Sequence, residues 1–212
     1  CEESCRFDAI SKFIVDPILC EGCKVCSYVC PVGAIEFEER IAGYAFISES
    51  KYGPMSHALL NPGQENSGKL VTLVRHNAKR IAEKEECEVI LNDGSPGIGC
   101  PVIASIGGVD LGLIVVEPTL SGIHDMERAL GLLNHFKIQP LICVNKYNIN
   151  VDNTRRIVEF CKSKGVEVAG KIPFDSLVTK AMVAGKPIVA YSPKRLVSKD
   201  IVELWNQILE HL

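Results

Sequence analysis

The sequence predicts a doubly wound α/β domain with a mostly parallel sheet, preceded by a small cysteine-bearing α+β module. Two observations support this prediction. From residue 88 onward, near-continuous apolar strands alternate with segments of helical periodicity. That alternation is typical of a parallel sheet covered by helices on both faces. Six of the ten cysteines, in contrast, lie within the first 30 residues, among short strands and turns.

The amino-terminal module is defined by a run of four cysteines. Cys20, Cys23, Cys26 and Cys30, followed by Pro31, give the spacing C-x2-C-x2-C-x3-C-P. This spacing is typical of bacterial-type ferredoxins, in which three thiolates hold one 4Fe-4S cluster and the fourth serves a second cluster. The alternative is a structural zinc site, which usually needs two separated C-x2-C pairs. We therefore predict iron–sulfur ligation.

An internal repeat of about 25 residues relates this run to the amino end. Cys1 and Cys5 have the spacing of the last two cysteines of such a run, and similar residues follow Cys5 and Cys30. By the ferredoxin rule, one complete site is formed by Cys5, Cys20, Cys23 and Cys26. Cys1 and Cys30 are then half of a second site. We expect the chain to be a piece of a longer protein; a natural one-cluster variant is the alternative.

Residues 1–42 are thus predicted to form a ferredoxin-like 4Fe-4S module, with short strands at 13–15 and 35–37. Residues 43–212 form the α/β domain. Its first part, 43–68, contains the turn signals Gly53-Pro54 and Asn61-Pro62-Gly63. Helical spacing follows over 70–81. We then expect strands over 88–93, 111–117, 140–145, 166–172 and 187–190, and helices over 122–136, 152–164, 177–184 and 198–212.

Composition restricts the classes of partner. The net charge of −3 and the 47% apolar content indicate a globular protein without a nucleic-acid surface. No window is apolar enough to span a bilayer, and no signal peptide is found. Metal-type cysteine spacing indicates a reducing, cytoplasmic setting. The remaining cysteines are interpreted as small buried hydrophobes, namely Cys87, Cys100, Cys143 and Cys161.

The last expected helix, 198–212, has an apolar stripe that could pack on the core or bind a membrane surface. It places Ile201, Leu204, Trp205 and Ile208 on one stripe. A membrane-surface helix needs Lys or Arg on its polar face, whereas Asp and Glu dominate here. The pattern therefore favours a helix packed on the core, and no membrane partner is expected.

Polar residues follow directly on the expected strand 88–93. Asp93 would lie at the carboxyl edge of the sheet, the Walker-B position whose Asp helps to hold Mg²⁺ in P-loop NTPases. We predict a catalytic role for Asp93. Gly94, Pro96 and Gly97 belong to the loop that would approach a phosphate, since glycine lets the backbone come close. An ordinary strand-to-loop turn is the alternative.

Two further strand ends carry candidate nucleotide contacts. Asn145 and Lys146, followed by Tyr147 and Asn148, resemble the base-reading Asn-Lys-x-Asp of GTPases. Because Asn148 replaces the Asp, the pattern favours adenine over guanine, with Asn145 as the contact. A helix cap near residues 148–152 is the alternative. After the next strand, the segment containing Pro173 and Asp175 could flank the base.

At this point the chain resembles a known family, the MinD/ParA group of deviant P-loop ATPases, in the branch with an inserted ferredoxin domain. The resemblance spans nearly the whole chain. It rests on 20–31, Gly53-Pro54-Met55, 65–71, 93–102, Glu117-Pro118-Thr119, Ser121-Gly122, 124–128, Asn145-Lys146-Tyr147 and 172–175. It implies a P-loop NTPase fold of the MinD type that binds ATP or ADP with Mg²⁺. The family's switch loops would couple nucleotide state to a partner or to the clusters.

One departure from the family is large. Its Walker A motif, a Gly-rich loop with two lysines, does not occur in these residues. Gly68-Lys69 has a context that does not match G-x4-G-K-[S/T]. In the family this loop precedes the ferredoxin insert. We therefore expect the 212-residue chain neither to bind ATP tightly nor to hydrolyse it alone.

The sequence leaves three functional readings. The first is a MinD-like ATPase that couples nucleotide state to electron transfer or to iron–sulfur protein maturation. The second is a ferredoxin-type electron carrier whose α/β domain is a docking scaffold. The third, an assembly scaffold with labile clusters, ranks lower because no bridging Cys-x2-Cys pair follows Asp93. The partner expected is a redox or iron–sulfur protein, and the family allows a nucleotide-dependent homodimer.

Overall fold

The computed structural model describes residues 1–62, 64 and 68–212. Gly63, Glu65, Asn66 and Ser67, on which part of one turn signal and part of the resemblance fall, lie outside the described residues. The chain separates into two compact units, Cys1–Asp93 and Gly94–Leu212. Each unit is built around its own elements.

The first unit begins with a minimal hairpin. Strands β1 (Ile10–Ser11) and β2 (Ile14–Val15) pair antiparallel, and helix α1 (Val25–Tyr28) follows. Lys12 and Phe13 form the two-residue turn with φ of 49° and 64°, the left-handed conformation that primed hairpin turns need. The strand expected near 13–15 is thus present in part. The strand expected at 35–37 is wrong, since no described strand pairs with that segment.

A longer hairpin occupies the stretch that the sequence marked only by turn signals. Strands β3 (Gly43–Ser50) and β4 (Gly53–Leu60) pair antiparallel along their full length, from Gly43 opposite Leu60 to Ser50 opposite Gly53. Helix α2 (Gly68–Glu85) packs against β4 and confirms the helical spacing over 70–81. Gly53-Pro54 therefore begins a strand rather than interrupting one.

The strand expected over 88–93 is wrong. That segment has no regular structure, and the side chains of Val89, Ile90 and Leu91 are 39%, 43% and 83% exposed. A strand exists only when its backbone amides and carbonyls find a partner strand. Among the described residues none pairs with this segment. The apolar pattern alone does not create a strand.

The second unit contains a three-stranded parallel sheet in the order β5-β6-β7. This confirms the α/β prediction, and most elements agree with expectation to within two residues. In chain order they are α3 (Cys100–Ile106), β5 (Leu111–Val116), α4 (Leu120–His135), β6 (Gln139–Asn145), α5 (Val151–Lys164), β7 (Glu167–Ile172), α6 (Ser176–Val183), α7 (Ile188–Tyr191) and α8 (Leu196–Leu209).

Strand β6 is the centre of this core. Leu141, Ile142, Cys143 and Val144 are each 0% exposed, so both faces of the strand are covered. Ile142 and Val144 pack with residues of α4 and α5, including Met126 and Ile157. A central strand buried on both faces reads as a continuous apolar run, which is why the sequence located β6 correctly.

Helix α8 packs on β7, so the core-packing interpretation holds for Leu204, whereas Trp205 of the same stripe is 38% exposed. Leu204 is 7% exposed, and a Cβ at Gly170 of β7 would meet its Cδ1 at 3.0 Å. Glycine at 170 therefore allows the helix to approach the strand closely. Among the described residues no helix is both long and apolar enough to cross a membrane.

The strand expected at 187–190 is a short helix, α7. Its turn is closed by local hydrogen bonds, from the Tyr191 N–H to the Pro187 carbonyl at 2.9 Å and from the Ser192 N–H to the Ile188 carbonyl at 2.8 Å. Pro187 precedes the first helical residue, where its fixed φ is compatible with a helix start. Ile188 then packs with Ala181 and Val197 instead of joining the sheet.

The four cysteines that follow residue 42 divide into a buried pair and an exposed pair. Cys143 and Cys161 are buried, as expected, and burial raises the pKa of Cys143 to about 11 and also raises that of Cys161. Cys87 and Cys100 are exposed, so the prediction that they are buried is wrong. Cys87 follows the end of α2 and Cys100 begins α3, so both lie at helix ends.

Candidate functional site

The turns after Cys5 and Cys30 have the same geometry. The Cys5 Sγ accepts a hydrogen bond from the Ala9 N–H at 3.3 Å, and the Cys30 Sγ accepts one from the Ala34 N–H at 3.3 Å. Each bond joins a cysteine to the residue four positions later. The two sulfurs therefore point back onto their own turns in the same way.

The backbone of the two turns matches as well. The Asp8 N–H donates to the Cys5 carbonyl at 3.4 Å, and the Gly33 N–H donates to the Cys30 carbonyl at 3.4 Å. Asp8 and Gly33 are both left-handed, with φ of 51° and 62°. The repeat inferred from the sequence is thus present in three dimensions at its two fourth-position cysteines.

The amides of its turn also affect the chemistry of Cys30. Hydrogen bonding by the Ala34 N–H, followed by that of Val32, lowers the pKa of the Cys30 thiol. A thiolate is the form of cysteine that binds metals, so a lowered pKa favours ligation. Hydrogen bonds to ligand sulfur are also one of the means by which proteins adjust iron–sulfur clusters.

The remaining predicted ligands lie around α1. Cys20 and Cys23 are exposed, Cys26 lies within α1, and Cys1 is half-buried at the amino end. All are free thiols. The donor set fits a 4Fe-4S cluster by type and spacing. Within residues 1–62, 64 and 68–212, however, no three Cys, His, Asp or Glu side chains converge closely enough to hold a metal ion. Ligation requires the segment that carries Cys20, Cys23 and Cys26 to close around the cluster, since metal binding and local folding are coupled.

The second candidate site is the carboxyl edge of the sheet in the second unit. Lys146, directly after β6, donates from Nζ to the Glu117 Oε1 at 2.6 Å. Glu117 directly follows the neighbouring strand, β5. Both side chains are partly exposed, at 38% and 45%. The buried Asn153 of α5 donates from Nδ2 to the Pro118 carbonyl at 3.1 Å and so holds the loop that carries Glu117.

The loops after β6 and β7 are joined to each other. The Tyr147 N–H donates to the Ile172 carbonyl at 3.1 Å, and the Phe174 N–H donates to the Asn148 Oδ1 at 2.7 Å. These bonds bring the segment of Asn145 and Lys146 beside the segment of Pro173. Asn148 therefore joins the two loops, and the helix cap considered in the sequence for residues 148–152 is present two residues later. The residue that caps α5 is Asn150.

Asp175 is engaged within the chain. It caps α6 by accepting from the Leu177 N–H at 2.9 Å, and its Oδ2 accepts from the Arg195 guanidinium at 2.8 Å. The Leu177 N–H and then Arg195 lower the pKa of this carboxyl. A contact from Asp175 to a bound base would compete with both interactions, so its cofactor role stays a prediction.

The residues of the predicted phosphate loop are divided between the units. Asp93 ends the first unit, where it is exposed, and Gly94, Pro96 and Gly97 begin the second, ahead of α3. Among the described residues, Gly94, Pro96 and Gly97 make no hydrogen bond to the loops after β6 and β7. The structure brings Asn145, Lys146 and Pro173 to one edge, whereas the roles of Asp93 and its loop stay predictions.

Three residues of the sheet edge were not predicted as site residues: Asn153 was not noted at all, and Glu117 and Phe174 entered only as part of the family resemblance, without a role. One signal could have found Glu117. It follows a buried apolar strand directly, as Asn145 does, and carboxyl ends of parallel strands meet at one edge. Nothing in the sequence marks Asn153, because its partner is a backbone carbonyl 35 positions away.

Comparisons with known proteins bear on the cysteine module and on the fold. A 4Fe-4S binding domain family matches residues 13–36. The uncharacterized protein MJ0578 of Methanocaldococcus jannaschii is 36% identical over 213 residues, covering 100% of this chain and 71% of its own length. The uncharacterized ATP-binding protein MJ0823 of the same organism is 31% identical over 140 residues, covering 65% of this chain and 52% of its own.

The fold has solved counterparts. The MinD cell division protein of Aquifex aeolicus superposes with a TM-score of 0.58 at 24% identity, covering 77% of this chain and 68% of that structure. Fold and cysteine motif together define a MinD-like α/β protein that carries a 4Fe-4S binding domain. More narrowly, the chain belongs to the family of MJ0578.

Proposed function

We propose that the protein couples an adenine nucleotide, bound with Mg²⁺ on the α/β domain, to a 4Fe-4S cluster held by Cys5, Cys20, Cys23 and Cys26. The coupling serves electron transfer or the maturation of iron–sulfur proteins. The observation that carries this proposal is the joining of the loops after β6 and β7. These hydrogen bonds hold the segments of Asn145 and Pro173 side by side at the carboxyl edge of a parallel sheet. That edge is where open α/β sheets bind their ligands.

The nucleotide part is supported by two further points. The relative MJ0823 is described as ATP-binding. At this edge Lys146 supplies a cation, and the amide of Asn145 can pair with the edge of a base. Asn148 presents no carboxylate to a guanine amine, and its Oδ1 already accepts from the Phe174 N–H. The site chemistry therefore favours adenine.

The cluster part is supported by the twin turns at Cys5 and Cys30 and by the matching domain family over residues 13–36. When bound, a 4Fe-4S cluster supplies one-electron redox chemistry. Residues 1–42 are the proposed cluster module and residues 43–212 the proposed nucleotide domain. The boundary between the two compact units of the structure falls later along the chain, after Asp93. The proposed partner is a redox or iron–sulfur protein, and a nucleotide-dependent homodimer is part of the proposal.

A second candidate is an electron carrier whose α/β domain only docks partners. One observation favours it. Lys146 and Asp175, two of the proposed nucleotide contacts, are already paired within the chain, with Glu117 and Arg195. A scaffold would keep such pairs permanently, whereas a nucleotide site would have to open them.

One experiment separates the two candidates. A form of the protein that includes a Gly-rich loop with two lysines is reconstituted anaerobically with iron and sulfide, and the midpoint potential of the cluster is measured without nucleotide, with Mg-ADP and with Mg-ATP at saturating concentrations. Coupling predicts a midpoint that changes with adenine nucleotide and no longer changes in Asn145→Ala. An unchanged midpoint in a normally reducible protein would support the scaffold instead. Gln139→Ala, at the opposite end of β6, is the matched control and should respond as the wild type does.

A further inference from the structure

Both oxygens of the Asp175 carboxylate are engaged. Its Oδ1 accepts a hydrogen bond from the Leu177 N–H at 2.9 Å, and its Oδ2 accepts from the Nε and Nη2 of Arg195 at 3.0 and 2.8 Å. The side chain of Asp175 is 11% exposed, whereas that of Arg195 is 52% exposed. A bound base could reach this carboxylate only by displacing one of its two partners. Asp175 is therefore suited to hold its own segment rather than to touch a ligand.

Capping of α6 does not explain Arg195. The three helices that follow the strands of the parallel sheet each begin with a side-chain cap, Thr119 for α4, Asn150 for α5 and Asp175 for α6. Thr119 and Asn150 are neutral, and in the described part of the chain neither bonds a charged side chain. Of these three caps, Asp175 alone is charged and paired with a guanidinium. Arg195 thus adds a second attachment to a residue whose capping bond does not need one.

This second attachment anchors the segment that is proposed to flank the base. Phe174, between Pro173 and Asp175, donates its N–H to the Asn148 Oδ1 at 2.7 Å. Arg195 directly precedes α8. The segment of Pro173 is therefore tied both to the loop after β6 and to the beginning of α8. A binding surface that is ordered before its ligand arrives loses less conformational freedom when the ligand binds.

Helix α8 is also attached at its other end. His211, which follows α8, lies with its Nε2 3.2 Å from the Glu167 Oε2 and with its Nδ1 2.9 Å from the Gln139 Nε2. Glu167 and Gln139 begin β7 and β6, at the amino edge of the sheet. The helix therefore has one polar attachment at each edge. His211 provides a matched control, because its attachment lies at the edge opposite to the proposed nucleotide site.

We propose that Arg195 is a positioning residue for nucleotide binding, which acts through Asp175 to fix the segment of Pro173 against which the base lies. Neither Arg195 nor Asp175 touches the nucleotide. The proposal rests on the proposed nucleotide site at the carboxyl edge of the sheet. It adds the beginning of α8 to the parts of the fold that form this site, and it gives Asp175 an indirect role instead of the direct contact expected from the sequence.

The test uses a form of the protein that includes a Gly-rich loop with two lysines. It compares Arg195→Ala, Arg195→Lys, Asp175→Asn, the double variant of Asp175→Asn with Arg195→Ala, and His211→Ala. Asparagine at 175 retains the cap of α6, since Asn is a preferred N-cap residue, but it presents no charge to Arg195. Calorimetry measures the Kd of Mg-ADP and of Mg-pyrophosphate, a probe that has no base. Thermal unfolding is recorded for every variant.

We expect Arg195→Ala and Asp175→Asn each to weaken the binding of Mg-ADP about tenfold, because the segment must then be ordered as the base binds. The double variant should bind no more weakly than either single variant, since all three remove the same interaction. Arg195→Lys should retain part of the affinity. Binding of Mg-pyrophosphate should not change in any of these variants, and His211→Ala should bind Mg-ADP as the wild type does.

Full Mg-ADP affinity in folded Arg195→Ala and Asp175→Asn would overturn the proposal. A loss in Arg195→Ala without one in Asp175→Asn would also overturn it, because Arg195 would then touch the nucleotide directly. An equal loss for Mg-pyrophosphate, or in His211→Ala, would assign the effect to general loosening of the fold. If Arg195→Ala does not fold, Asp175→Asn decides the matter, since it retains the cap. A wild-type protein that binds no Mg-ADP would refute the nucleotide site itself, and this proposal with it.

Discussion

The ammonium group of Lys146 and the carboxylate of Glu117 close the gap between the ends of β6 and β5 with a hydrogen bond of 2.6 Å. Lys146 holds a left-handed backbone conformation, with φ of 54°. The pair lies beside Asn145, at the edge where a nucleotide is proposed to bind. Glu117 thus competes with any anionic ligand for the same cation.

The competition gives a first prediction. Glu117→Ala should leave the free energy of unfolding within about 1 kcal/mol of the wild type, since partly exposed ion pairs contribute little. The same change releases Lys146 and should strengthen binding of Mg-ADP, as measured by calorimetry. Asp125→Ala, which breaks the exposed pair with Arg128 on α4, is the control and should affect neither quantity. Weaker nucleotide binding in Glu117→Ala would contradict the idea.

Asp175 predicts a dependence of stability on pH. The Leu177 N–H and Arg195 lower its pKa in the folded state. A carboxyl with a lowered folded pKa contributes stability above its unfolded pKa, about 3.9, and this contribution is lost as the pH falls through the folded pKa. Asp175→Ala should lower the stability at pH 7, because it removes both the side-chain cap of α6 and the partner of Arg195. Urea unfolding should show the difference between wild type and variant shrinking below about pH 4. A constant difference would assign the effect to packing.

Base selectivity is a third prediction. In a form of the protein that includes a Gly-rich loop with two lysines, adenine nucleotides should bind more tightly than guanine nucleotides, because Asn148 offers no carboxylate and its Oδ1 accepts from the Phe174 N–H. Asn145→Ala should reduce the preference. Calorimetric titrations of Mg-ADP and Mg-GDP provide the measurement. Equal affinities for the two bases would remove Asn145 as the reader of adenine.

Asp93 carries a fourth prediction, about catalysis. The 212 residues contain no Gly-rich loop with two lysines, and we expect no measurable ATP turnover from them alone. In a form of the protein that includes such a loop, Asp93→Asn should slow hydrolysis by orders of magnitude, since carboxylate oxygens order the Mg²⁺ that neutralises the transferred phosphoryl group. Cluster absorbance should be unaffected. Unchanged turnover would take Asp93 out of the site.

The cluster ligands give a fifth prediction. Anaerobic reconstitution should yield about four iron atoms per chain, the content of one 4Fe-4S cluster, on Cys5, Cys20, Cys23 and Cys26. Cys23→Ser should abolish the cluster absorbance. Cys87→Ser, which changes an exposed cysteine after α2, should retain it. An eight-iron product, or none, would refute the proposed ligand set.

The sequence predicted those strands and helices that show a clear local pattern of apolar residues. β6 was located because a strand covered on both faces is apolar throughout, and β5 and β7 were located because they are apolar runs that alternate with helical periodicity. It did not predict that 88–93 is irregular, since the existence of a strand depends on a partner that is distant in sequence. The short helix α7 was missed because Ile188 and Val189 favour strands locally, while Pro187 and packing against Val197 decide the outcome.

For the candidate sites, residue types and spacing were predictable, but their partners were not. The cysteine run and Asn145 stand out in the sequence because few other uses require those residues in those places. Lys146 pairs with Glu117, which is 29 positions away, and Asn148 with the Phe174 amide, which is 26 positions away. Both pairings depend on strand order and loop geometry, which the local sequence does not show. The long hairpin β3–β4 was missed because its turn signals were interpreted without the pairing between them.

The matched turns have a consequence for how duplications are recognised. The Cys5 N–H donates to the Glu2 carbonyl at 3.1 Å, and the Cys30 N–H donates to the Ser27 carbonyl at 3.3 Å, although Glu and Ser share no chemistry. The internal repeat is thus visible in main-chain bonds at a place where the residues themselves differ. In short cysteine-rich chains, a search for gene duplication should therefore compare the spacing of backbone hydrogen bonds as well as the amino acids themselves.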